Sequence, residues 1–272
     1  MKISLITACY NSEATIRTAI ESVLAQKGVD VEYIVVDGGS KDGTVGLLKD
    51  YEPKFNGRMR WISEPDRGMY DAINKGIKMA TGDVVGILNA DDVLASDDTL
   101  AKIASAFSCN ARTGDSGEDG GSGVDCVYAD IRFVRSGDTL EALREAPTVR
   151  YCSAKRWRPW MFRYAAMVPH PSFYVRRECF ERLGGYSLDY RICADFELEL
   201  RYLYLAKLRA AYLPECVVVM RMGGASTSGW RSNVEINSED LRALRSHGIW
   251  SCLPLIYLKY LFKIWGFVFK RR

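Results

Sequence analysis

Two adjacent carboxylates, Asp91 and Asp92, lie just beyond an apolar segment at residues 83–88 that is typical of a buried strand. Adjacent carboxylates at the edge of a sheet repel each other, so their presence needs a chemical reason. Mg²⁺ and Mn²⁺ bind one or two protein carboxylates and bridge them to substrate phosphates. The pair therefore indicates a divalent-cation site. The alternative is helix capping, which the sequence assigns to Asp97 or Asp98.

Polar residues also follow the first two predicted strands, at residues 7–11 and 37–44. In open α/β sheets, ligands bind beyond the carboxyl ends of the strands, so these segments and Asp91-Asp92 can face one crevice. The first segment lacks the G-x-G-x-x-G of dinucleotide-binding folds. The second begins like a P-loop, but Thr44-Val45 stands where phosphate binding needs Lys followed by Ser or Thr. A dehydrogenase and a P-loop NTPase are therefore disfavoured.

Strands and helices alternate over the first 107 residues and would position these polar segments. Strands are predicted at 2–9, 31–36, 59–62 and 83–88, and helices at 44–51, at 69–80, between an Asn11-Ser12 cap and Gly28, and after Asp97 or Asp98. This alternation indicates an α/β fold with a mostly parallel sheet and helices on both faces. The regularity weakens later, where strands are predicted at 124–129, 131–134 and 217–222 and a helix at 195–205.

The composition is that of an ordinary folded protein, with 48% hydrophobic and 26% charged residues among 272. The net charge of +3 is too small to indicate a nucleic-acid partner, and none is expected. Eight cysteines occur without a C-x-x-C pair and beside only two histidines, so a structural zinc site has little support. The chain opens on a strand rather than a signal peptide, so we expect reduced thiols in a cytosolic environment.

Over roughly residues 1–225 the chain resembles glycosyltransferase family 2, in particular bacterial members that build O-antigen, capsule or exopolysaccharide. The matching segments occur in the family's order and spacing, at residues 4–11, 35–44, 64–76, 88–92, 170–172 and 194–198. The resemblance implies a GT-A fold, which is Rossmann-like. It also implies a nucleotide-sugar-binding half at 1–112 and an acceptor-binding and catalytic-base half at 124–229. Composition predicts a flexible loop between them at 113–123, rich in glycine, serine and acidic residues, and C-terminal helices with a basic amphipathic tail at 230–272.

The resemblance also implies which residues contact the nucleotide-sugar donor. They are Thr7, Tyr10, Asn11, Asp37, Ser40, Asp66, Arg67, Gly68, Asn89, Ala90 and Asp91. Among them, Asp37 suits uracil, because the N3–H of that base needs a hydrogen-bond acceptor. An aspartate before two glycines can instead serve a turn. Residues 66–68 match a diphosphate-side contact, and the alternative for them is a plain turn.

Metal and catalytic roles follow from the same resemblance. Asp91 and Asp92 match metal and ribose contacts, which implies Mn²⁺ or Mg²⁺ to neutralise the leaving nucleoside diphosphate. The family's Asp-x-Asp is Asn89-x-Asp91 here, which leaves open which of the two carboxylates touches the metal. Asp195 matches the general base that accepts the proton of an attacking sugar hydroxyl, and it also suits a helix N-cap. A single in-line displacement inverts the anomeric configuration.

Two further residues, His170 and Arg221, match contacts to the acceptor or to phosphate. His170 stands between two prolines that stiffen its loop, and a purely structural role is the alternative. Arg221 belongs to the segment 220–226, whose glycines could let a loop close over the donor.

The last segment, residues 249–272, carries five basic side chains and no acid among many aliphatic and aromatic residues. Because lysines interrupt it, it is a poor membrane span. It fits a helix in the membrane interface that is attracted to anionic lipid, and the alternative is a helix packed on the catalytic domain. Since its five positive charges exceed the net charge of +3, the rest of the chain is mildly acidic.

Together, these expectations describe an inverting hexosyltransferase. It would transfer sugar from a UDP-sugar to a lipid-linked saccharide, such as an undecaprenyl-diphosphate saccharide, at the cytoplasmic face of the plasma membrane, where it would be peripheral. The alternatives are a GDP- or dTDP-sugar donor on the same fold, or a non-catalytic, membrane-associated subunit that binds nucleotide sugars. A binder needs no general base, which makes the joint presence of Asp37, Asp91, Asp92 and Asp195 an argument for an enzyme.

Overall fold

The computed structural model describes residues 1–109, 123–223 and 230–260. Its strands are β1 Lys2–Cys9, β2 Asp30–Asp37, β3 Met59–Ser63, β4 Val84–Ile87, β5 Val93–Leu94, β6 Cys126–Val134, β7 Arg150–Cys152, β8 Tyr174–Arg176 and β9 Ala210–Arg221. They form one sheet in the order β3-β2-β1-β4-β8-β6-β9-β5, with β7 paired to β6. The sheet therefore contains strands from both predicted halves of the chain.

The described helices cover or flank this sheet. They are α1 Ile16–Leu24, α2 Thr44–Tyr51, α3 Met69–Met79, α4 Thr99–Cys109, α5 Leu140–Glu145, α6 Arg177–Leu183, α7 Ala194–Glu199, α8 Trp230–Ser246 and α9 Leu253–Tyr257. Short 3-10 segments lie at Glu52–Phe55, Pro159–Tyr164 and His170–Ser172, and α7 continues as a π-helix over Leu200–Leu205. Among the helices described here, none is both long and apolar enough to cross a bilayer.

The first half of the sheet is parallel, as the alternation of elements predicts. Strand β1 pairs in parallel with β2 and β4, and β2 pairs in parallel with β3. Both faces of β1 are buried, with Ile6 in the apolar layer of α3 and Leu5 in that of α1. A Cβ on Gly76 of α3 would lie 2.5 Å from Ile6 Cγ2, so this close approach requires glycine. The α/β fold with helices on both faces is confirmed.

The second half of the sheet contains both parallel and antiparallel pairs, and its strands are longer than the sequence predicts. The strands predicted at 124–129 and 131–134 are one strand, β6, which pairs in parallel with β9 and antiparallel with β7 and β8. The register with β9 shifts at Asp130, where β9 passes from Leu213 to Cys216. Pro214 lies in this bulge because proline has no N–H for the ladder. The strand predicted at 217–222 is therefore only the end of β9.

The cap predicted for α1 is wrong. The helix begins at Ile16, and Thr15 is its N-cap residue. Asn11 adopts a φ of 48°, and its backbone N–H donates to Ser40 Oγ at 2.7 Å, so it belongs to the loop before the helix. The carbonyl of Ser12 accepts from the N–H groups of Thr15 and Ile16, which forms a turn ahead of α1.

Asp98, one of the two residues predicted to cap α4, directly precedes its first residue, Thr99, and its carbonyl accepts from the N–H of Lys102. The N–H of Leu100 donates to Gln26 Oε1 at 3.0 Å, so a side chain from the end of α1 caps this helix. The carboxylate of Asp97 instead pairs with Lys27 and Arg144, and that of Asp98 accepts from Ser96 and Lys102. Basic partners near both aspartates compete with the backbone for their oxygens.

The predicted C-terminal tail is described only as far as residue 260. Ile249, Ile256 and Lys259 are buried, and Lys259 Nζ lies 2.6 Å from Asp240 Oδ2 on α8. This part of the tail therefore packs on the domain, which was the alternative, and Lys259 does not present its charge to a lipid surface. Residues 261–272, the loop predicted at 113–123 apart from Gly123, and residues 224–226 of the predicted closing loop lie outside the described residues.

Candidate active site

Two loops beyond the carboxyl ends of β1 and β2 are joined by hydrogen bonds. The side chain of Asn11 accepts from the N–H of Lys41 at 2.9 Å, while its backbone N–H donates to Ser40. The N–H of Ser12 donates to Thr44 Oγ1 at 2.8 Å. These bonds bring together Asn11 and Ser40, two predicted donor contacts. The Tyr10 ring beside them is 60% exposed and available to a ligand.

Asp37 lies beneath these loops and is fully buried. Its Oδ2 accepts from Ser63 Oγ at 2.6 Å and from the N–H groups of Ser40 and Gly39 at 3.0 and 3.1 Å. Its Oδ1 accepts from Ser40 Oγ and from Cys9 Sγ. Burial alone raises the pKa of Asp37, but the hydrogen bonds from Ser40 and Ser63 outweigh it and lower that pKa. Asp37 thus organises the loop as an ionised carboxylate.

Thr7 is likewise buried. Its hydroxyl donates to the carbonyl of Leu88 at 2.8 Å and accepts from Tyr33 at 3.1 Å, so it connects β1 to the end of β4 and to β2. The donor contacts predicted for Thr7 and Asp37 stay predictions. In this structure the polar atoms of both side chains form hydrogen bonds with other groups of the protein.

The loop between β3 and α3 carries the predicted residues 66–68. Asp66 Oδ1 accepts from the N–H of Gly68 at 2.8 Å, and Gly68 has a φ of 116°, a conformation that favours glycine. Arg67 is exposed and lies 3.6 Å from Asp71. The other oxygen of Asp66 lies against Gly38, so this loop reaches the loop after β2.

The two acidic residues after β4 occupy different environments. Asp92 is fully buried; its Oδ2 accepts from Asn89 Nδ2 at 2.8 Å, and its Oδ1 has no hydrogen-bond partner. Burial first, and the charge of Asp91 second, raise the pKa of Asp92 well above its usual value. Asp91 is half-buried, whereas Ala90 between Asn89 and Asp91 is mostly buried. Asp91 is therefore the more accessible carboxylate.

An orphaned buried carboxylate oxygen next to a second carboxylate fits a divalent cation. Mg²⁺ and Mn²⁺ prefer oxygen ligands, and one or two carboxylates together with substrate phosphates and waters suffice to hold them. Among the side chains that the structure describes, no group of three or more His, Cys, Asp or Glu forms a ready metal cluster. Asp91 and Asp92 are thus the residues that could hold such an ion with a phosphate-bearing substrate.

Arg221, at the end of β9, contacts three separate segments. Its Nε donates to the carbonyl of Asp91 at 3.1 Å, its Nη1 to the carbonyl of Gly137 at 3.1 Å, and its Nη2 to Thr18 Oγ1 at 2.7 Å. The guanidinium therefore fixes the backbone of the Asp91-Asp92 turn. The phosphate contact predicted for Arg221 stays a prediction.

Asp195 lies in the first turn of α7, whose N-cap residue is Cys193, so the predicted capping role is wrong. Its Oδ1 accepts from the N–H of Phe196 at 2.8 Å and from the hydroxyl of Tyr70 at 3.2 Å. The buried Tyr70 has a single hydroxyl proton, which is shared between Asp195 and the carbonyl of Ile192, the nearer acceptor. Because Tyr70 lies two residues after Gly68, α3 connects the loop at 66–68 with the half-buried carboxylate of Asp195.

Around Asp195 lie aromatic and acidic side chains that were not predicted from the sequence. Tyr186 stacks on Tyr70 with ring centroids 5.5 Å apart, and its hydroxyl lies 2.7 Å from His170 Nε2. Burial lowers the pKa of His170, although the charge of Asp195 opposes this. Glu199 is fully buried, and burial followed by the charge of Asp195 raises its pKa well above the usual value. Glu199 could have been found from the sequence, because it follows Asp195 by four residues and so lies on the same face of the helix.

Comparisons with known proteins agree on one family. The family model described as Glycosyl transferase family 2 matches residues 4–115. A PGL/p-HBAD biosynthesis glycosyltransferase of Mycobacterium bovis is 28% identical over 241 residues, which cover 89% of this chain and 83% of that protein. An uncharacterized glycosyltransferase of Mycobacterium tuberculosis is 32% identical over 203 residues, which cover 73% of this chain and 68% of that protein.

Solved structures share the fold. S. aureus TarS 1-349 in complex with UDP superposes with a TM-score of 0.62 at 17% identity, over 90% of this chain and 65% of that chain. The mannosyltransferase PcManGT from Pyrobaculum calidifontis, in complex with GDP-Man and Mn²⁺, superposes with a TM-score of 0.59 at 21% identity, over 98% of this chain and 72% of that chain. Likeness at these identities concerns the fold, which is the GT-A arrangement.

Proposed function

Because this chain belongs to glycosyltransferase family 2, we propose that it is an inverting hexosyltransferase that uses a UDP-sugar and a lipid-linked saccharide acceptor. The observation that carries the proposal is the half-buried carboxylate of Asp195, held 3.2 Å from the hydroxyl of Tyr70 at the start of α3, the helix that follows the donor loop at 66–68. A protein that only binds a nucleotide sugar needs no carboxylate fixed in this way.

In the proposed reaction, a hydroxyl of the acceptor attacks the anomeric carbon of the donor while the bond from that carbon to the diphosphate oxygen breaks. Asp195 accepts the hydroxyl proton, and the electron pair of the broken bond leaves with the nucleoside diphosphate. One displacement inverts the anomeric configuration. Tyr70 holds Asp195 in place, so the base keeps its orientation when the acceptor arrives.

Asp91 and Asp92 are the proposed metal-site residues. We propose that the more accessible Asp91 contacts the ion directly, while Asp92 is oriented by Asn89 and has one oxygen without a partner. When bound, Mg²⁺ or Mn²⁺ would supply positive charge against the diphosphate. Arg221 keeps the backbone of this turn in place through the carbonyl of Asp91.

The nucleotide of the donor differs among proteins of this fold. S. aureus TarS binds UDP and UDP-GlcNAc, and the Pyrobaculum mannosyltransferase binds GDP-Man. Both nucleotides are therefore held by proteins of this fold. The exposed Tyr10 ring can stack on a base of either kind, and a carboxylate suits both the N3–H of uracil and the N1–H of guanine. We favour UDP because Thr7, Tyr10, Asn11 and Asp37 resemble family positions that hold uracil and ribose.

A peripheral position on the cytoplasmic face of the membrane would suit a lipid-linked acceptor. An exposed aromatic surface supports it, and we call it the Trp160–Trp250 surface. Its side chains are Trp160, Arg163, Tyr164, Trp250 and Leu258. Aromatic and aliphatic groups beside a basic head are typical of proteins that lie in the membrane interface.

A screen of nucleotide sugars tests the proposal. Wild-type protein is incubated with Mn²⁺ and UDP-, GDP- or dTDP-sugars, with and without membrane lipid extract, and nucleoside diphosphate release is measured. We expect release from a UDP-sugar that lipid extract stimulates and that EDTA abolishes. Release that survives EDTA contradicts the metal role, a preference for GDP- or dTDP-sugar contradicts the donor, and no release from any donor indicates the non-catalytic alternative.

A further inference from the structure

The backbone that leads to the proposed base Asp195 is held by a side chain of α8. Glu239 accepts hydrogen bonds from three consecutive N–H groups, with its Oε1 from Arg191 at 3.0 Å and with its Oε2 from Ile192 and Cys193, both at 2.9 Å. Its side chain is 13% exposed, so the carboxylate faces this loop rather than solvent. Hydrogen bonds to a carboxylate are stronger than those between neutral groups. Glu239 therefore fixes the last three residues before α7.

The peptide group between Ile192 and Cys193 is bound at both ends. Its N–H, which belongs to Cys193, donates to Glu239. Its carbonyl oxygen, which belongs to Ile192, accepts from the hydroxyl of Tyr70, whose one proton is shared with Asp195. Because a peptide group is planar and trans, its N–H and its carbonyl point in opposite directions, so fixing the first also fixes the second. Glu239 thus determines where the acceptor for Tyr70 lies.

Helix α8 is itself anchored on both sides of Glu239. After α9, Lys259 Nζ lies 2.6 Å from Asp240 Oδ2, and both side chains are buried. At the end of α8, the hydroxyl of Ser246 lies 3.1 Å from that of Tyr190, in the same loop before α7. These contacts keep Glu239 at a constant distance from the backbone that it binds.

We propose that Glu239 is a positioning residue for the base Asp195, and that it acts through the peptide group whose carbonyl binds Tyr70. The inference rests on the proposed function, in which Asp195 accepts the proton of the acceptor. It gives α8 a role in the reaction, although this helix lies well after residues 4–115, which match the family model. Misplacing a reacting group by 1 Å can cost about 100-fold in rate, so a distant support can matter.

The test measures steady-state nucleoside diphosphate release with the donor and lipid extract identified by the nucleotide-sugar screen. Glu239→Gln keeps the size of the side chain, but its NH₂ group cannot accept from an N–H, so at least one of the three hydrogen bonds is lost. We expect kcat to fall about 5- to 20-fold and KM for the donor to stay within about twofold, because the change displaces the base and not the donor loops.

Combining this change with Tyr70→Phe tests the route of the effect. If Glu239 acts through Tyr70, the two changes remove the same support, and effects of residues that share one network are not additive. The double variant should therefore have a kcat within about threefold of the lower single variant. Losses that multiply would contradict the proposed route.

Two variants of α8 are matched controls. Glu235→Gln removes one negative charge that lies 3.6 Å from the side chain of Arg191, and Ser246→Ala removes the other contact to Tyr190. Both should keep the wild-type kcat, and scanning fluorimetry checks that every variant is folded. If Glu239→Gln does not fold, Glu239→Asp replaces it, because the shorter side chain keeps the charge but cannot reach all three N–H groups.

The outcomes separate this inference from the proposed function. If Glu239→Gln has the same kcat as Glu235→Gln, the inference is wrong while the base and the transfer reaction stand. An equal loss of kcat in Ser246→Ala would contradict it as well, since loosening the loop anywhere would then suffice. Wild-type kcat in Asp195→Asn, or no release from any donor, would remove the proposed function and this inference with it. A selective fall in kcat that does not multiply with that of Tyr70→Phe supports the inference.

Discussion

The contact between Tyr70 and Asp195 joins two residues that lie 125 positions apart in the chain. Tyr70 is 5% exposed, and the one proton of its hydroxyl is shared between two acceptors, Ile192 O and Asp195 Oδ1. A buried hydroxyl that points at a carboxylate restricts its rotation, and this orientation is what a base needs before the acceptor binds. Tyr70 is therefore a positioning residue in the proposed mechanism.

Removing the base and removing its support should have graded effects. Asp195→Asn should lower kcat by about 100- to 10,000-fold, because a general base contributes about that factor. Tyr70→Phe should lower kcat by about tenfold and leave KM for the donor within twofold, since it loses one hydrogen bond of about 1 to 1.5 kcal/mol. Steady-state kinetics with the donor identified by the nucleotide-sugar screen measure both.

Tyr202→Phe is the matched control, because this buried tyrosine donates to the carbonyl of Gly184 and not to Asp195. It should reduce stability and leave kcat nearly unchanged. Wild-type kcat in Asp195→Asn would contradict the base assignment. A kcat for Tyr70→Phe equal to that of Tyr202→Phe would contradict the positioning role.

The sequence predicts Asp195 but not Tyr70. Asp195 belongs to a short motif, so a local pattern reveals it. Tyr70 instead follows the apolar spacing of α3, where it looks like any core aromatic, and its partner comes from a distant helix. Such a pairing depends on how α3 and α7 pack, which local residue patterns do not determine.

Several elements meet at the turn that carries Asp91. Arg221 of β9 donates to the carbonyl of Asp91, and also to Thr18 of α1 and to the loop residue Gly137. The guanidinium is planar and presents donors in fixed directions, which lets one side chain connect three acceptors. The position of the proposed metal site thus depends on the end of the long strand β9.

Arg221→Lys tests this dependence, because lysine keeps the charge but cannot span the three acceptors. We expect the melting temperature to fall by about 3 to 8 °C, from the loss of hydrogen bonds at about 1 to 2 kcal/mol in total. The Mn²⁺ concentration for half-maximal activity should rise about three- to tenfold. Scanning fluorimetry and metal titration provide the two measurements.

Arg132→Lys is the control for this change, since Arg132 donates to the carbonyls of Ala146 and Leu143, away from Asp91. It should lower the melting temperature without altering the Mn²⁺ requirement. If Arg221→Lys keeps the wild-type melting temperature and Mn²⁺ requirement and only raises KM for the donor, Arg221 contacts phosphate as the sequence predicts.

A second junction lies at the opposite ends of the strands. Glu32 of β2 is 5% exposed and accepts from Ser4 Oγ at 2.5 Å, from Thr81 N–H at 2.8 Å and from Arg60 Nη2 at 2.6 Å. Burial raises the pKa of Glu32, but the hydrogen bonds from Ser4 and Thr81 and the charge of Arg60 outweigh it and lower that pKa to about 2. The ionised carboxylate thus ties β1, β2 and β3 to the turn before β4.

Glu32→Gln should therefore cost stability in a pH-dependent way. The folded-state pKa lies below the usual value, so the stabilisation is fully present above about pH 4.5 and is lost as the pH falls toward 2. We expect the variant to lose about 3 kcal/mol of unfolding free energy at pH 7 and progressively less below pH 4.5. Urea unfolding at several pH values measures this difference.

Glu181→Gln serves as its control, because Glu181 makes an exposed pair with Arg177 and should change stability by less than about 0.5 kcal/mol. A difference between wild type and Glu32→Gln that stays constant from pH 7 to pH 3 would argue against an ionised, hydrogen-bonded Glu32.

Some elements with local apolar spacing were predicted with the right bounds, whereas a strand that depends on long-range pairing was not. Strand β1 and helix α2 have the predicted bounds because both follow from local apolar spacing. Strand β9 was predicted from its end alone, since Pro214 interrupts the local pattern. Its pairing with β6 across the bulge is a long-range contact that accommodates the proline.

At the scale of the whole molecule, the described part of the C-terminal region both packs on the domain and presents exposed aromatic side chains. Ile256 and Lys259 face the domain, while Trp250 is 72% exposed and Trp160, from a segment 90 positions earlier, is 55% exposed. Composition alone predicts an amphipathic basic segment but not that Lys259 pairs with Asp240. It also does not predict that the 3-10 segment at Pro159–Tyr164 shares the aromatic surface.

The Trp160–Trp250 surface should bind lipid vesicles in the full-length protein. Wild type should co-sediment with phosphatidylglycerol vesicles more than with phosphatidylcholine vesicles, and less at 0.5 M NaCl, because basic groups near an anionic surface are screened by salt. The double variant Trp160→Ser and Trp250→Ser should bind at least about tenfold more weakly, since two large apolar side chains no longer enter the interface. Leu188→Ser, which removes an exposed leucine outside this surface, should bind as wild type does. Undiminished binding by the double variant would show that this surface does not contact the membrane.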